Sequence, residues 1–267
     1  TTTEIGLLVE RLPDRRNVIG VSGSAGKSTT AAMTAHVLRA CGRSAHLGGN
    51  IGGSLLGVLT RIGPAEPVVL ELSSAMLHWL GDWSPGVAVV TNITPNHIDW
   101  HGSLEHYTSS KLRILISQQA GDAAVLGPTL GKTATAEKVR RVVVEPTAGI
   151  EGLAVPGSHN ALNAAMACAA VAQLAPALPT EALHDAVRSF PALPHRLCLL
   201  GEDEGVRYYD DSKSTTPEAS LLALRAFEDR GELARVHLIA GGYDKGSDLS
   251  PIAARAAEIA GLYCIGK

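Results

Sequence analysis

The segment GSAGKSTT (residues 23–30) sets Lys27, Ser28, Thr29 and Thr30 directly behind a turn containing Gly23 and Gly26. This set of residues suits a phosphate. Glycines let the backbone curl so that its N–H groups point inward, and a helix starting there adds the positive end of its dipole. Lys27 can reach the outer phosphates of a nucleotide, and the Ser28 hydroxyl can ligate Mg²⁺. The pattern is G-x-x-G-K-S. The longer Walker spacing wants glycine at position 21, where this chain has Val21. The flanks supply the confirming context, with the apolar run NVIGVS before the turn and a helical pattern after it.

Three further places offer charge or protons. Glu71 ends the run VVLE, and a carboxylate at a strand end beside a phosphate loop can bind Mg²⁺. Taken by itself, such a carboxylate is better explained as a solvated strand end. The stretch TNITPNHIDWHG then sets His97, Asp99 and His101 just past another apolar run. A single histidine is more often structural, but three ionisable residues in one loop at a ligand-binding edge favour function. Lys111 lies in a helical pattern, where spacing alone gives a lysine no special role.

The elements that would position these residues follow from periodicity. Strands are expected at 17–22, 67–74 and 87–93. Helices are expected at 28–42, at 103–118 opened by Ser103, at 159–175 and at 179–190. Alternation of strand and helix implies an α/β fold with a mostly parallel sheet covered on both faces. The strand ends at 22–23, 71–74 and 92–97 would then meet on one edge, where such sheets bind ligands. The stretch 127–156 mixes short β-like pieces with turns. PALPHR (191–196) reads as a hinge, which divides the chain near Pro194 into 1–194 and 195–267. The second part restarts a strand–loop–helix–strand rhythm.

At 267 residues with 45% hydrophobic and 18% charged residues, the chain can build a sizeable core. A formal net charge of −3 gives no support to a nucleic-acid-binding surface. No apolar run approaches a membrane span, and the first residues lack the order of a signal peptide. Cys41, Cys168, Cys198 and Cys264 form no CxxC or CxxH pair, which argues against zinc and suits a reducing cytosol.

GSAGKSTT, GGNIGGSLL, LELSSAML, TNITPNHIDWHGSLEHYTSSKLRI, GSHNALNA, PHR, YYDDSKSTTPEAS and AGGYDKGSD occur in that order. This set resembles the Mur ligases over nearly the whole chain, most specifically in DDSKSTTPEA together with AGGYDKG, which point to the D-glutamate-adding branch. The resemblance implies a central phosphate-loop domain followed by part of a Rossmann-like α/β C-terminal domain. It also implies a cytoplasmic, monomeric enzyme that is neither membrane-inserted nor nucleic-acid-binding. Its substrates would be ATP, UDP-N-acetylmuramoyl-L-alanine and D-glutamate, with two Mg²⁺ sites and an acyl-phosphate intermediate.

Carried over residue by residue, the resemblance makes Gly23, Ser24, Ala25, Gly26, Lys27, Ser28 and Thr29 the nucleotide loop. Asn163, Arg196 and Asp211 become further nucleotide contacts. Ser28, Glu71, His97 and Lys111 become the metal set, and Lys27, His97 and Lys111 the catalytic one. Lys111 matches a lysine that the family carbamylates, which would turn an ammonium into a carboxylate-like ligand. Asn50 and Ser73 fall to the muramoyl substrate, and Lys213, Thr215 and Lys245 to D-glutamate. The chain departs from the family at Ala25, where asparagine is usual, at Asn96, where an acid is usual, and at Ala75 and Met76, where an aromatic residue and glutamine are usual. The family's N-terminal uridine-nucleotide domain is expected ahead of this sequence, and more C-terminal sheet after YCIGK, so this chain alone is expected not to ligate. The competing readings are a sister or folylpolyglutamate-type ligase with another amino acid, and an inactive ATP-binding fragment.

Overall fold

The computed structural model describes residues 2–243 and 248–266. They fall into two units, one of residues 1–152 and 162–190, the other of 153–161 and 191–267.

The first unit is built on β1 (Val18–Ser22). A short helix α1 (Glu4–Val9) precedes it, and α2 (Lys27–Ala40) and β2 (His46–Gly49) follow. Next come β3 (Val68–Glu71), α3 (Ser74–Trp79), β4 (Val87–Val90), α4 (Ile98–His101) and α5 (Leu104–Ile116). The order closes with β5 (Ala123–Leu126), β6 (Arg140–Val143), α6 (Ser158–Leu174), of which residues 162–174 belong to this unit, and α7 (Thr180–Arg188). All six strands are parallel, in the order β2-β3-β1-β4-β5-β6. The chain passes from β1 to the edge strand β2, returns through β3, then crosses to β4 and runs out through β5 and β6, so β1 lies where the strand order reverses. That is where doubly wound sheets place their ligands.

Every residue of β1, β3, β4 and β5 is buried. Such strands must be apolar throughout, and VIGVS, VVLE, VAVV and AAVL nearly are. Leu70, Leu72, Ala88, Val90, Ile114 and Leu126 belong to one core cluster. Each large side chain there contributes about 1.5–3 kcal/mol by leaving water. Helix α5 starts as expected at Ser103, whose hydroxyl accepts the His106 N–H at 3.1 Å.

The sequence reading left out β2, α3 and β5. HLGG carries two glycines in four residues and forms a strand only because β3 offers it a parallel edge. AAVL is too short and too rich in alanine to stand out. Helix α3 is six residues long and depends on Ser73, whose hydroxyl caps the Met76 N–H at 3.2 Å.

The second unit contains the antiparallel hairpin β7 (Cys198–Asp203) and β8 (Val206–Asp210), then α8 (Pro217–Glu228). Strands β9 (His237–Gly242) and β10 (Gly261–Gly266) pair in parallel, with α9 (Ser250–Ala253) between them in sequence. The expected strand–loop–helix–strand rhythm is β8, α8 and β9; β7, in CLLGED, has no clean alternation and is mostly exposed. No helix among the described residues is long and apolar enough to cross a membrane.

Candidate active site

The turn after β1 needs both of its glycines. Gly23 has φ 140° and Gly26 φ 80°. A Cβ on Gly23 would meet the Thr91 hydroxyl, and one on Gly26 would meet the Asn163 carboxamide. The turn ends at Lys27, the first residue of α2.

The carbonyls of this turn are taken one after another. Ser22 O accepts from Thr91 N–H at 3.0 Å. Gly23 O accepts from Lys111 Nζ at 2.6 Å and Ser24 O from Lys27 Nζ at 3.0 Å. Ala25 O accepts from the Thr91 hydroxyl at 2.6 Å and from Asn92 Nδ2 at 3.1 Å. With its acceptors occupied by the protein, the turn presents little negative potential of its own, as an anion site requires. The Ala25 N–H is donated to Asn92 Oδ1 at 3.0 Å, so Ala25 joins the turn through its backbone.

Lys111 sits on α5 at 2% exposure, with its Nζ 4.7 Å from the centroid of the Tyr107 ring. Its pKa falls from the ordinary 10.5 to about 7. Burial is the main cause, repulsion from Lys27 adds to it, and the Glu71 carboxylate opposes it. Tyr107, 1% exposed, places its hydroxyl 2.9 Å from Ser24 Oγ and so ties α5 to the turn.

Glu71 closes β3 at 1% exposure. Its Oε1 accepts from Asn50 Nδ2 at 3.0 Å, while its Oε2, equally buried, has no hydrogen-bond partner among the described residues. A buried carboxylate oxygen without a donor is costly unless a cation approaches it. His97 lies in the segment after β4, exposed, with the left-handed φ of 52°. Its N–H is held by Asn96 Oδ1 at 2.8 Å, so the amide at position 96 serves as a local backbone brace.

Lys27, Asn50, Ser73, His97, Tyr107 and Lys111 line one cleft of about 460 Å³, with Asp99, Trp100 and His101 at its wall. His101 is 7% exposed, with Nε2 2.9 Å from Ser74 Oγ and Nδ1 3.0 Å from His106 Nδ1. Burial first, then the neighbouring imidazoles His106, His78 and His97, lower its pKa. The sequence reading brought Lys27, Glu71, His97 and Lys111 together by resemblance, but passed over Tyr107, Thr91 and Asn92. The available signal was position, since Thr91 and Asn92 are polar residues directly behind a fully buried strand.

Ser28 and Thr29 occupy the first turn of α2. Asn163, on α6, accepts from the Thr30 hydroxyl at 3.3 Å. In the second unit, Asp211 accepts the Leu197 N–H at 2.9 Å, and Asp210 pairs with His195 at 2.6 Å. His195 and Leu197 have φ 66° and 44°, so Arg196 stands between two left-handed residues pinned by adjacent carboxylates. Burial raises the Asp211 pKa. Lys213 and Thr215 are exposed in the segment before α8, and the Lys213 N–H donates to His195 O at 3.0 Å. Lys245 lies outside the described residues.

Residues 21–146 match the Mur ligase middle domain. The chain is 35% identical over 275 residues to the UDP-N-acetylmuramoylalanine--D-glutamate ligase of Streptococcus agalactiae, covering 94% of this chain and 59% of that protein. It is 37% identical over 286 residues to the enzyme of the same name from Symbiobacterium thermophilum, covering 96% and 60%. The chain thus spans about three fifths of the length of these curated relatives. Among solved structures, the MurF ligase of Thermotoga maritima in complex with ADP superposes with a TM-score of 0.72 at 22% identity, over 93% of this chain and 66% of that one. At that identity the match speaks for the fold.

Proposed function

We propose, from the match of residues 21–146 to the Mur ligase middle domain, that this chain is the ATP-handling part of a cytoplasmic ligase that adds D-glutamate to UDP-N-acetylmuramoyl-L-alanine. The observation that carries the proposal is one cleft lined by Lys27, Asn50, His97 and Lys111, with the buried Glu71 bonded to Asn50. D-glutamate as the added amino acid is supported by the two relatives, which carry that activity in their names.

In the proposed reaction a carboxylate oxygen of the muramoyl substrate attacks the γ-phosphorus of ATP, and the bond to ADP breaks. The D-glutamate amine then attacks the acyl carbon and loses a proton, and phosphate departs. Phosphorylation is needed because a carboxylate is a poor electrophile. The residues of this chain act mainly by charge. Lys27 sits at the start of α2, where it can follow the outer phosphates from ground state to transfer. Asn50 holds one oxygen of Glu71 and thereby orients the other. His97 projects from the segment that also supports the turn.

Glu71 Oε2, buried without a donor, supports a cation such as Mg²⁺ beside this cleft. Ser28, Glu71, His97 and the carbamate form of Lys111 would hold it. Bound there, Mg²⁺ would neutralise phosphate charge. The lowered pKa of Lys111 favours the neutral amine that carbamylation requires. Asn163, Arg196 and Asp211 are assigned to the nucleotide, Ser73 to the muramoyl substrate, and Lys213, Thr215 and Lys245 to D-glutamate.

The test is phosphate release by the full-length parent protein with ATP, Mg²⁺ and UDP-N-acetylmuramoyl-L-alanine, offered D-glutamate, L-glutamate, L-alanine or diaminopimelate. Release with D-glutamate alone is expected. Release with another amino acid would move the assignment to a sister ligase, and release with none would leave an inactive nucleotide-binding fragment.

A further inference from the structure

The nucleotide turn has a mechanical problem. Its two glycines, both at positive φ, stand on either side of Ser24 and Ala25. Glycine pays the largest backbone entropy on ordering, so a turn flanked by two of them is soft unless something holds its middle. Ala25 is exposed and has no polar side chain, so residue 25 can be held only by its backbone.

Asn92 holds it. Its Oδ1 accepts the Ala25 N–H at 3.0 Å and its Nδ2 donates to the Ala25 carbonyl at 3.1 Å. Its own backbone carbonyl accepts the Ser24 N–H at 2.8 Å. A carboxamide suits this task because it offers an acceptor and a donor side by side, as a neighbouring strand would. Two residues on, Thr94 completes the grip, donating its N–H to Ser24 Oγ and accepting the Ser24 hydroxyl, each at 2.9 Å. The same segment leads directly to His97.

We infer that Asn92 is a positioning residue for the nucleotide turn, fixing the backbone of Ala25 so that the turn is ordered before the nucleotide arrives. The inference rests on the nucleotide reading proposed above. It also accounts for alanine at position 25, since the residue's place is set from outside by Asn92. Without the side-chain clamp, the ordering of Ala25 falls on the binding step, and ADP affinity should drop about five- to thirtyfold.

The experiment compares wild type, Asn92→Ala and Asn92→Asp by residue-resolved amide hydrogen exchange without nucleotide, and by calorimetric titration with ADP and Mg²⁺. Asn92→Ala should speed exchange at Ala25 about tenfold or more while β1 and α2 keep their protection. Asn92→Asp retains the acceptor for the Ala25 N–H but loses the donor to its carbonyl. It should therefore keep Ala25 protected and still bind ADP more weakly. A role confined to general stability would not separate the two variants at Ala25. Unchanged exchange at Ala25 in Asn92→Ala overturns the inference, as does faster exchange with unchanged ADP affinity. Lys27→Ala serves as the separate control on the nucleotide reading. If wild type itself fails to bind ADP, that reading falls, and the positioning role falls with it. The exchange data then still report whether the clamp exists.

Discussion

The protonation of Lys111 should depart far from the ordinary lysine range, and the difference can be measured. A lysine of pKa 10.5 is neutral in about one molecule per thousand at pH 7.5, whereas at a pKa of about 7 it is neutral in about three of four. Only the neutral amine attacks CO₂, so the site should gain several-hundredfold in reactive form over a surface lysine. The assay is ¹³C NMR of protein labelled at lysine Cε, where one of the seven lysines should titrate near pH 7 and vanish in Lys111→Met. The causes of the shift fix the signs for neighbouring variants. Lys27→Met removes a repelling charge and should raise the midpoint, and Glu71→Gln removes an attracting one and should lower it. With ¹³C-labelled bicarbonate, a carbamate resonance should grow as the pH rises through 7 and be absent from Lys111→Met. The same shift has a sign in stability. Between about pH 7 and 10.5 the unfolded lysine still holds a proton that the folded one has released, so stability rises with pH. Relative to Lys111→Met, wild type should gain across that window, with a ceiling of about 5 kcal/mol at 1.36 kcal/mol per pH unit. Seven lysines titrating in the ordinary range, or neighbour variants with reversed signs, would refute the reasoning.

Three other outcomes follow from the same geometry. Lys27→Ala should fold normally and lose ADP binding by about a hundredfold or more, since a charge-assisted contact to phosphate goes with it; calorimetry reads this directly. Gly26→Ala should cost about 1–3 kcal/mol in urea denaturation, because alanine at φ 80° is strained and its Cβ displaces the Asn163 carboxamide from the Thr30 hydroxyl. His101 should make the fold acid-sensitive. Its folded pKa lies below the ordinary 6.5, so the unfolded state binds the proton first and stability falls as the pH drops below about 6.5. The thermal midpoint of His101→Gln should depend less on pH between 7.5 and 5 than that of wild type.

What could be read from the sequence divides along a physical line. β1, α2, β3, β4 and α5 announce themselves because burial on both faces demands continuous apolar runs and because Ser103 is a side-chain cap written into the sequence. β2 and β5 do not, since what makes HLGG and AAVL strands is the edge that β3 and β4 offer them, which is a property of the assembled sheet. The site divides in the same way. Lys27, Glu71 and His97 are ionisable residues at or soon after strand ends, and such a residue there is visible in one dimension. Lys111 acquires its character from burial beside Lys27 and Tyr107, eighty-odd residues from the turn it touches. Spacing could give it no weight, and only resemblance singled it out. Asn92 is the clearest case. It bears no charge and matches no motif position with a known task, yet it makes three of the hydrogen bonds that hold the turn. Residues that bind a ligand must advertise chemistry, whereas residues that hold the binders need only shape and a matched donor and acceptor. The second kind becomes legible when the strands that carry them are laid side by side.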